Sequence, residues 1–200
     1  MTVSSASTMS LVGGALALDF ANTGSAREPE GTTEHLLTPT DLVDWARHAG
    51  GVDAATAKRL RSAIAVETGT GERLLRHARE LRRAIYDAGS AIANRQPPGE
   101  SDLKTLKTFA VKALSQSALK SQAEGRYAFA FSDAEPEAAT LGPIVWSMID
   151  LLGARDFDRL KQCPECGWLF FDHSKNNSRR WCDMATCGNR TKLRRHRKHA

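Results

Sequence analysis

The sequence predicts an α+β fold: a mostly helical N-terminal region with a short sheet, followed by a small cysteine-rich module. Three observations lead there. Several long runs place apolar residues every three or four positions, two short runs alternate apolar residues with others, and all four cysteines lie beyond residue 162. Two hundred residues accommodate one ordinary domain and a small one, with expected bounds 1–155 and 156–200. Each unit is expected to fold on a core of its own.

Residues 1–10 are Ser/Thr-rich and form an expected frayed start. Ala15–Phe20 puts Leu16, Leu18 and Phe20 at every second position, the pattern of a strand, and a loop is expected from Asn22 to Glu34. Thr38-Pro39-Thr40-Asp41 joins a capping residue, a proline suited to the first helical position and an acid in the first turn. A helix is therefore expected to about Ala49, stopped by Gly50-Gly51. A second helix spans about Asp53–Glu67 with Ala57, Leu60 and Ile64 inward. Thr68-Gly69-Thr70-Gly71 lacks the Gly-Lys-Ser/Thr ending of a phosphate loop and reads as a turn between helices. The longest helix is expected over about Glu72–Asn94, its stripe being Leu74, Ala78, Leu81, Ile85, Ala88 and Ile92, before Pro97-Pro98-Gly99 closes it. Ser101–Leu119 follows with Leu103, Leu106, Ala110, Ala113 and Leu114 inward. Arg126–Phe131 alternates and is expected to pair with Ala15–Phe20. A last helix after Glu135-Pro136 carries Leu141, Ile144, Val145, Met148, Leu151 and Leu152.

The formal net charge of +5 is unevenly distributed. From Arg155 to Ala200 there are twelve Lys or Arg against five Asp or Glu, so residues 1–154 carry a net −2. A surface that attracts anions thus belongs to the cysteine-rich module. No apolar run approaches bilayer length, and the N-terminus has neither the basic start nor the continuous apolar run of a secretory signal. A cytoplasmic, reducing location without membrane contact is expected.

Cys163 and Cys166 share one tight turn, and Cys182 and Cys187 can close a tetrahedron around a structural Zn2+ ion. Four residues separate the second pair, where zinc ribbons commonly have two. Two disulfides or an iron–sulfur cluster are the competing readings; the absence of other cysteines and the reducing location favour zinc. Between the pairs lie an aromatic run, Gly167-Trp168-Leu169-Phe170-Phe171-Asp172, and a polar turn at 173–178. Knuckle, hairpin and a helix starting near Cys187 make the order of a treble-clef finger. Trp168, Phe170 and Trp181 are expected to form a small core around the metal.

Ser178-Arg179-Arg180-Trp181-Cys182-Asp183-Met184-Ala185-Thr186-Cys187-Gly188-Asn189-Arg190 resembles the signature of the CGNR zinc fingers, which Cys163, Cys166, Gly167, Asp172 and Ser174 also match. In that family the finger follows an ABATE domain, whose opening is similar to Leu18-Asp19-Phe20-Ala21-Asn22-Thr23 here. The resemblance implies a bacterial transcription regulator whose finger binds DNA and whose larger domain senses a ligand.

The residues can be read toward function independently. Four cysteines close the coordination shell, whereas catalytic zinc keeps an open position, and no His-Glu-x-x-His, Gly-x-Ser-x-Gly or deaminase pattern is present. An enzyme is therefore not expected. Arg190, Lys192, Arg194, Arg195, Arg197 and Lys198 follow the last cysteine with no intervening acid, Arg190, Arg194, Arg197 and Lys198 falling on one helical stripe. With Arg179 and Arg180 on the hairpin side they form a candidate DNA surface; RNA binding and a zinc-stabilised protein-interaction module are the alternatives. A small-molecule site is expected near Asp19, Asn22, Thr23 and Arg82, against the alternative that these polar groups only close a loop. One small finger leaves a small footprint, which makes a homodimer formed through the larger domain an expectation as well.

Overall fold

A computed structural model of the chain describes residues 5–24, 34–153 and 156–199; the sequence expectations for 25–33, Arg27 among them, lie outside these. Seven α-helices and two two-stranded antiparallel sheets make up the described residues: α1 (Leu16–Ala21), α2 (Pro39–His48), α3 (Ala54–Val66), α4 (Thr68–Ala93), α5 (Glu100–Ser115), β1 (Ser117–Ser121), β2 (Tyr127–Phe131), α6 (Pro136–Gly153), β3 (Leu160–Gln162), β4 (Leu169–Phe171) and α7 (Asn189–His199). None of the helices is long and apolar enough to cross a membrane.

Local chemistry accounts for both ends of α2 and for the start of α3. Thr38 Oγ1 accepts from the Asp41 N–H at 3.2 Å while the Asp41 carboxylate accepts from the Thr38 N–H at 2.7 Å, a capping box with Pro39 opening α2. Gly50, at φ +75°, ends that helix in the left-handed conformation that only glycine adopts cheaply. Asp53 caps α3 by accepting from the Thr56 N–H at 2.7 Å. In α4 the anticipated stripe is inward: Leu74, Ala78, Leu81, Ile85 and Ala88 are buried, with Ile92 half-buried beside them. The α6 stripe behaves likewise.

Four expectations are corrected. Ala15–Phe20 is not a strand; Leu16–Ala21 is a six-residue helix in which all but Leu16 are buried. An apolar run this short, hidden on every side, carries no usable periodicity, and alternation of Leu16, Leu18 and Phe20 was a coincidence of composition. Thr68–Gly71 is the first turn of α4 rather than a link: a Cβ on Gly71 would lie 3.1 Å from Pro39 Cγ, so the glycine serves close approach of α4 to α2. Helix α5 stops at Ser115 and buries Leu106, Phe109 and Ala113, leaving Leu103 and Leu114 exposed. The residues given to its end form β1, which pairs with β2 from Ser117↔Phe131 to Ser121↔Tyr127. Since Ala15–Phe20 is helical, β2 finds its partner in the segment just before it.

The two regions share a core. Leu160 and Leu169, from the cysteine-rich module, belong to the same buried cluster as Phe20, Trp45, Leu81, Ile85 and Ile144. A Cβ on Gly89 of α4 would stand 2.7 Å from Leu169 Cδ1, so a bare helix backbone admits β4. Separate cores were expected, and the apolar outer edge of the β3–β4 hairpin is what merges them.

Candidate metal centre and nucleic-acid interface

β3 and β4 pair from Leu160↔Phe171 to Gln162↔Leu169, and the turn between them holds the first two cysteines. The Cys163 N–H donates to the Trp168 carbonyl at 2.8 Å and the Gly167 N–H to the Cys163 carbonyl at 2.9 Å, with Gly167 at φ +80°. This knuckle aims both sulfurs to one side. The second pair comes from the start of the closing helix: Asp183 accepts from the Ala185 and Thr186 N–H groups at 3.2 and 3.1 Å, capping a single π turn over Met184–Gly188 that contains Cys187 and runs into α7. The extra residues between Cys182 and Cys187 are this turn.

The four sulfurs lie within 4.8 Å of one another, Cys166–Cys182 at 3.5 Å and Cys182–Cys187 at 3.6 Å. A Zn–S bond of about 2.3 Å implies tetrahedral edges of about 3.8 Å, so the donor set has the size of a zinc shell. Its charge points the same way. In a bare cluster the Cys163 thiolate is held far below the ordinary thiol range by hydrogen bonds from Cys166 and Cys182. In turn, the hydrogen bond to Cys163 pushes the Cys166 thiol up to about 12, and that to Cys163 drives Cys182 up as well. Four thiolates coexist here only around a cation, and Zn2+ supplies the compensating charge. Phe170 is buried against the cysteines with Trp168 and Trp181 half-buried beside it, the small core anticipated for these aromatics.

Asp172 is the polar counterpart of that core. It is fully buried and accepts from Lys161 Nζ at 2.7 Å, the Arg179 N–H at 2.8 Å and the Ser174 N–H at 2.9 Å. Burial alone would raise its carboxyl, but the Lys161 hydrogen bond and those from Ser174 and Arg179 outweigh it and hold the group far below the usual carboxylate range. Lys161 also donates to the carbonyls of Asn177 and Arg179, tying the 173–181 loop across the hairpin. Nothing in the sequence marked Lys161; its position opposite Phe170 in the hairpin register is visible only once β3 and β4 are paired.

The candidate DNA contacts divide. Arg179 is turned inward, stacked over the Phe170 ring at 4.6 Å and donating to the carbonyls of Trp181, Val12 and Cys182. Its guanidinium closes the loop bearing the third cysteine and docks it on residues 5–24, so its Nε and Nη2 are engaged within the chain. Arg180 is exposed, 5.3 Å over the Trp181 ring, and Arg190 and Lys192 are exposed on α7. Arg194 is exposed but pairs with Glu165, which also accepts from Thr191 Oγ1 at 3.1 Å. Arg195, Arg197 and Lys198 continue α7, which runs to His199.

Asp19, Asn22, Thr23 and Arg82 come together in two groups. Asn22 is buried, its Nδ2 donating to the Leu169 carbonyl and its Oδ1 accepting the Leu169 N–H, both at 2.8 Å. The side-chain amide thereby acts as one residue of a strand paired with β4. Asp19 accepts from the Gly13 N–H at 2.7 Å, and the Gly13 carbonyl takes the Phe171 N–H at 2.7 Å. Burial pushes the Asp19 carboxyl up to about 6 despite the N–H groups of Gly13 and Val12 and the Arg179 charge. Arg82 makes a two-pronged pair with Glu34 at 2.6 and 2.5 Å and donates to Thr23 Oγ1 at 3.2 Å. Asn22 thus reaches the finger's backbone, whereas Asp19 bonds to Gly13, and Arg82 to Glu34 and Thr23.

Asn22→Ala tests that role. It leaves a buried N–H and C=O of Leu169 without partners, each worth about 1–3 kcal/mol, so the chain should lose about 2–4 kcal/mol in denaturant unfolding. Zinc content should remain unchanged, because no cysteine bond is touched. A loss below about 0.5 kcal/mol, the level of an ordinary surface change, would show that water replaces the amide and that Asn22 does not hold the finger.

Comparison with known families agrees with this architecture. Residues 14–155 match the ABATE family model, described as "Putative stress-induced transcription regulator", and residues 159–200 match the CGNR zinc finger. The chain belongs to the ABATE family. Its C-terminal CGNR finger is the zinc site built by Cys163, Cys166, Cys182 and Cys187. Both families are of regulator and zinc-finger type, and the two matches meet at residues 155–159. No individually curated protein matches the chain.

Proposed function

We propose that this ABATE–CGNR protein is a bacterial, cytoplasmic transcription regulator that binds duplex DNA through its finger, with α7 tracking phosphates. The observation that carries the reading is the attachment of a basic helix to the metal shell: Cys187 lies in the turn that runs directly into α7, so zinc fixes where Arg190 and Lys192 point. A solubilising tail would need no such anchor. Arg180 extends the cationic surface beside Trp181, while Arg179 and Lys161 hold the loop in shape from within. Arginine and lysine contacts to phosphate supply affinity and register, and one or two arginines reading guanine edges would supply preference.

Control by a small ligand of the larger domain completes the reading. Asp19 and Asn22 link α1 to β4, and Arg82, through Thr23, steadies the segment that follows α1, so a ligand loosening these bonds would act on how the finger is held. The test of the DNA reading is a titration of zinc-loaded protein against duplex DNA, a single strand and an RNA hairpin over a range of salt. With four to six phosphates neutralised, the logarithm of duplex affinity should fall with the logarithm of salt at a slope of about −4 to −5. Preference for the single strand or the hairpin would favour RNA, and no measurable nucleic-acid affinity would favour a protein-interaction module.

A further inference from the structure

We infer that two copies of this chain pair through the β1–β2 hairpin, by antiparallel addition of β2 to β2 about a twofold axis at Phe129. The hairpin is a sheet of two strands only, an arrangement that is marginal on its own in water. Its ladder shows which backbone groups remain available. The Gln122 N–H donates to the Arg126 carbonyl at 2.7 Å and the Ser132 N–H to the Gln116 carbonyl at 2.9 Å, just outside the two ends. Alternation of bonded and non-bonded pairs between these limits makes Ala118/Ala130 and Lys120/Ala128 the bonded pairs. The N–H and C=O groups of Tyr127, Phe129 and Phe131 therefore point away from β1, to the outer edge of β2.

The two edges differ in chemistry. β1 carries Lys120, the kind of charge by which an edge strand resists pairing, whereas β2 reads Tyr-Ala-Phe-Ala-Phe without a charge. Apolar side chains accompany that open edge. Phe131 packs against Gly142 of α6, and Phe129 meets the Trp146 ring edge-on at 4.6 Å. Beyond this contact Tyr127 is 71% exposed, Leu119, opposite Phe129, 62%, and Trp146 38%. An uncharged edge and a bordering apolar patch together mark an association surface rather than scattered apolar residues.

The occupant that fits is a second copy. The three outward-bonding residues are symmetric about Phe129, so Phe129 meets its own counterpart while Tyr127 meets Phe131 of the second copy, and the reverse, with two hydrogen bonds in each pair. A twofold interface needs this self-complementarity. Electrostatics permits it here: residues 1–154 carry a net −2, while the repelling excess of positive charge belongs to the finger. A five-residue strand and its flanks bury less than a standard interface, so the dimer should be weak, with Kd on the order of 10 μM.

The test is sedimentation equilibrium of the zinc-loaded full chain up to about 200 μM, well above such a Kd, with a cross-linking arm. A mass of twice the 21.8 kDa chain is expected. Tyr127→Lys should weaken association at least about tenfold, because each lysine would face Phe131 of the other copy, whereas Lys120→Ala on the other edge should leave it within about twofold. Ala128→Cys and Ala130→Cys, on the opposite side of β2 from Phe129, would face each other across the twofold as a non-bonded pair, their Cα atoms about 4.5 Å apart and within disulfide reach. Mixed under mild oxidation these two variants should give a cross-linked dimer that neither gives alone. A chain monomeric at the highest concentration overturns the inference, and so does a dimer whose mixed variants fail to cross-link, whatever Tyr127→Lys does. Neither result bears on the DNA reading, whose readout is duplex affinity.

Discussion

Cys182→Ser is expected to destabilise the entire chain, not the finger alone. A serine hydroxyl is a poor substitute for the thiolate, and three sulfurs leave the zinc shell open. Metal binding supplies the folding free energy of such small modules, about 10–16 kcal/mol in zinc-finger peptides at neutral pH. Loss of the shell frees the hairpin, and the hairpin carries Leu160 and Leu169 into the cluster that holds α1 and α4. Removing a buried leucine costs about 2–5 kcal/mol. Asn22 and the Gly13 carbonyl lose their partners as well. The two leucines alone come to about 4–10 kcal/mol, against the 5–15 kcal/mol that typically holds a domain together. The variant, or wild type treated with a strong chelator, should therefore show an earlier far-ultraviolet circular dichroism melt with part of the α1 and α4 helicity already lost. A melt of the helical region superimposable on that of zinc-loaded wild type would mean that α1 and α4 close over the vacated surface and that docking contributes little.

That expectation differs from the one composition alone supports, and the difference shows where sequence reasoning stops. Helices with chemical punctuation were legible: Thr38 with Asp41 started α2, Gly50 ended it, and the regular stripe of α4 declared its buried face. The sulfur cluster was legible too, because four cysteines in two close pairs have few other uses. What stayed hidden depends on pairing between distant residues. Asn22 looked like a loop-closing or ligand-binding amide because its partner, Leu169, is 147 positions away. Lys161 was one lysine among many until β3 met β4. Arg179 read as a DNA contact because it adjoins Arg180, yet two neighbouring residues in an extended segment face opposite ways, and only the packing against Phe170 says which turns inward. The short apolar α1 was misread for a related reason: a segment buried all round has no polar face to reveal its period.

The largest effect on function is expected from neutralising Arg180, Arg190 and Lys192 together with glutamine. All three are exposed, and of the candidate DNA contacts they are the ones whose described side chains are neither turned inward, as Arg179 is, nor paired with an acid, as Arg194 is with Glu165. Each phosphate contact removed should flatten the salt slope by about 0.9, so the triple variant should lose close to three units and bind about a thousandfold more weakly at about 50 mM salt. Stability and zinc content should not change, since surface substitutions away from structural bonds cost within about 0.5 kcal/mol. Arg194→Gln should flatten the slope by much less than Arg190→Gln, because Glu165 already neutralises part of its charge. The converse, Glu165→Gln, should release Arg194 toward the phosphates and steepen the slope. This pair separates a structured interface from a diffuse basic tail: in a tail every cation counts alike, and Arg190→Gln and Arg194→Gln would move the slope equally. A triple variant binding duplex DNA with wild-type affinity and slope would place the nucleic-acid surface elsewhere than on the zinc-anchored helix.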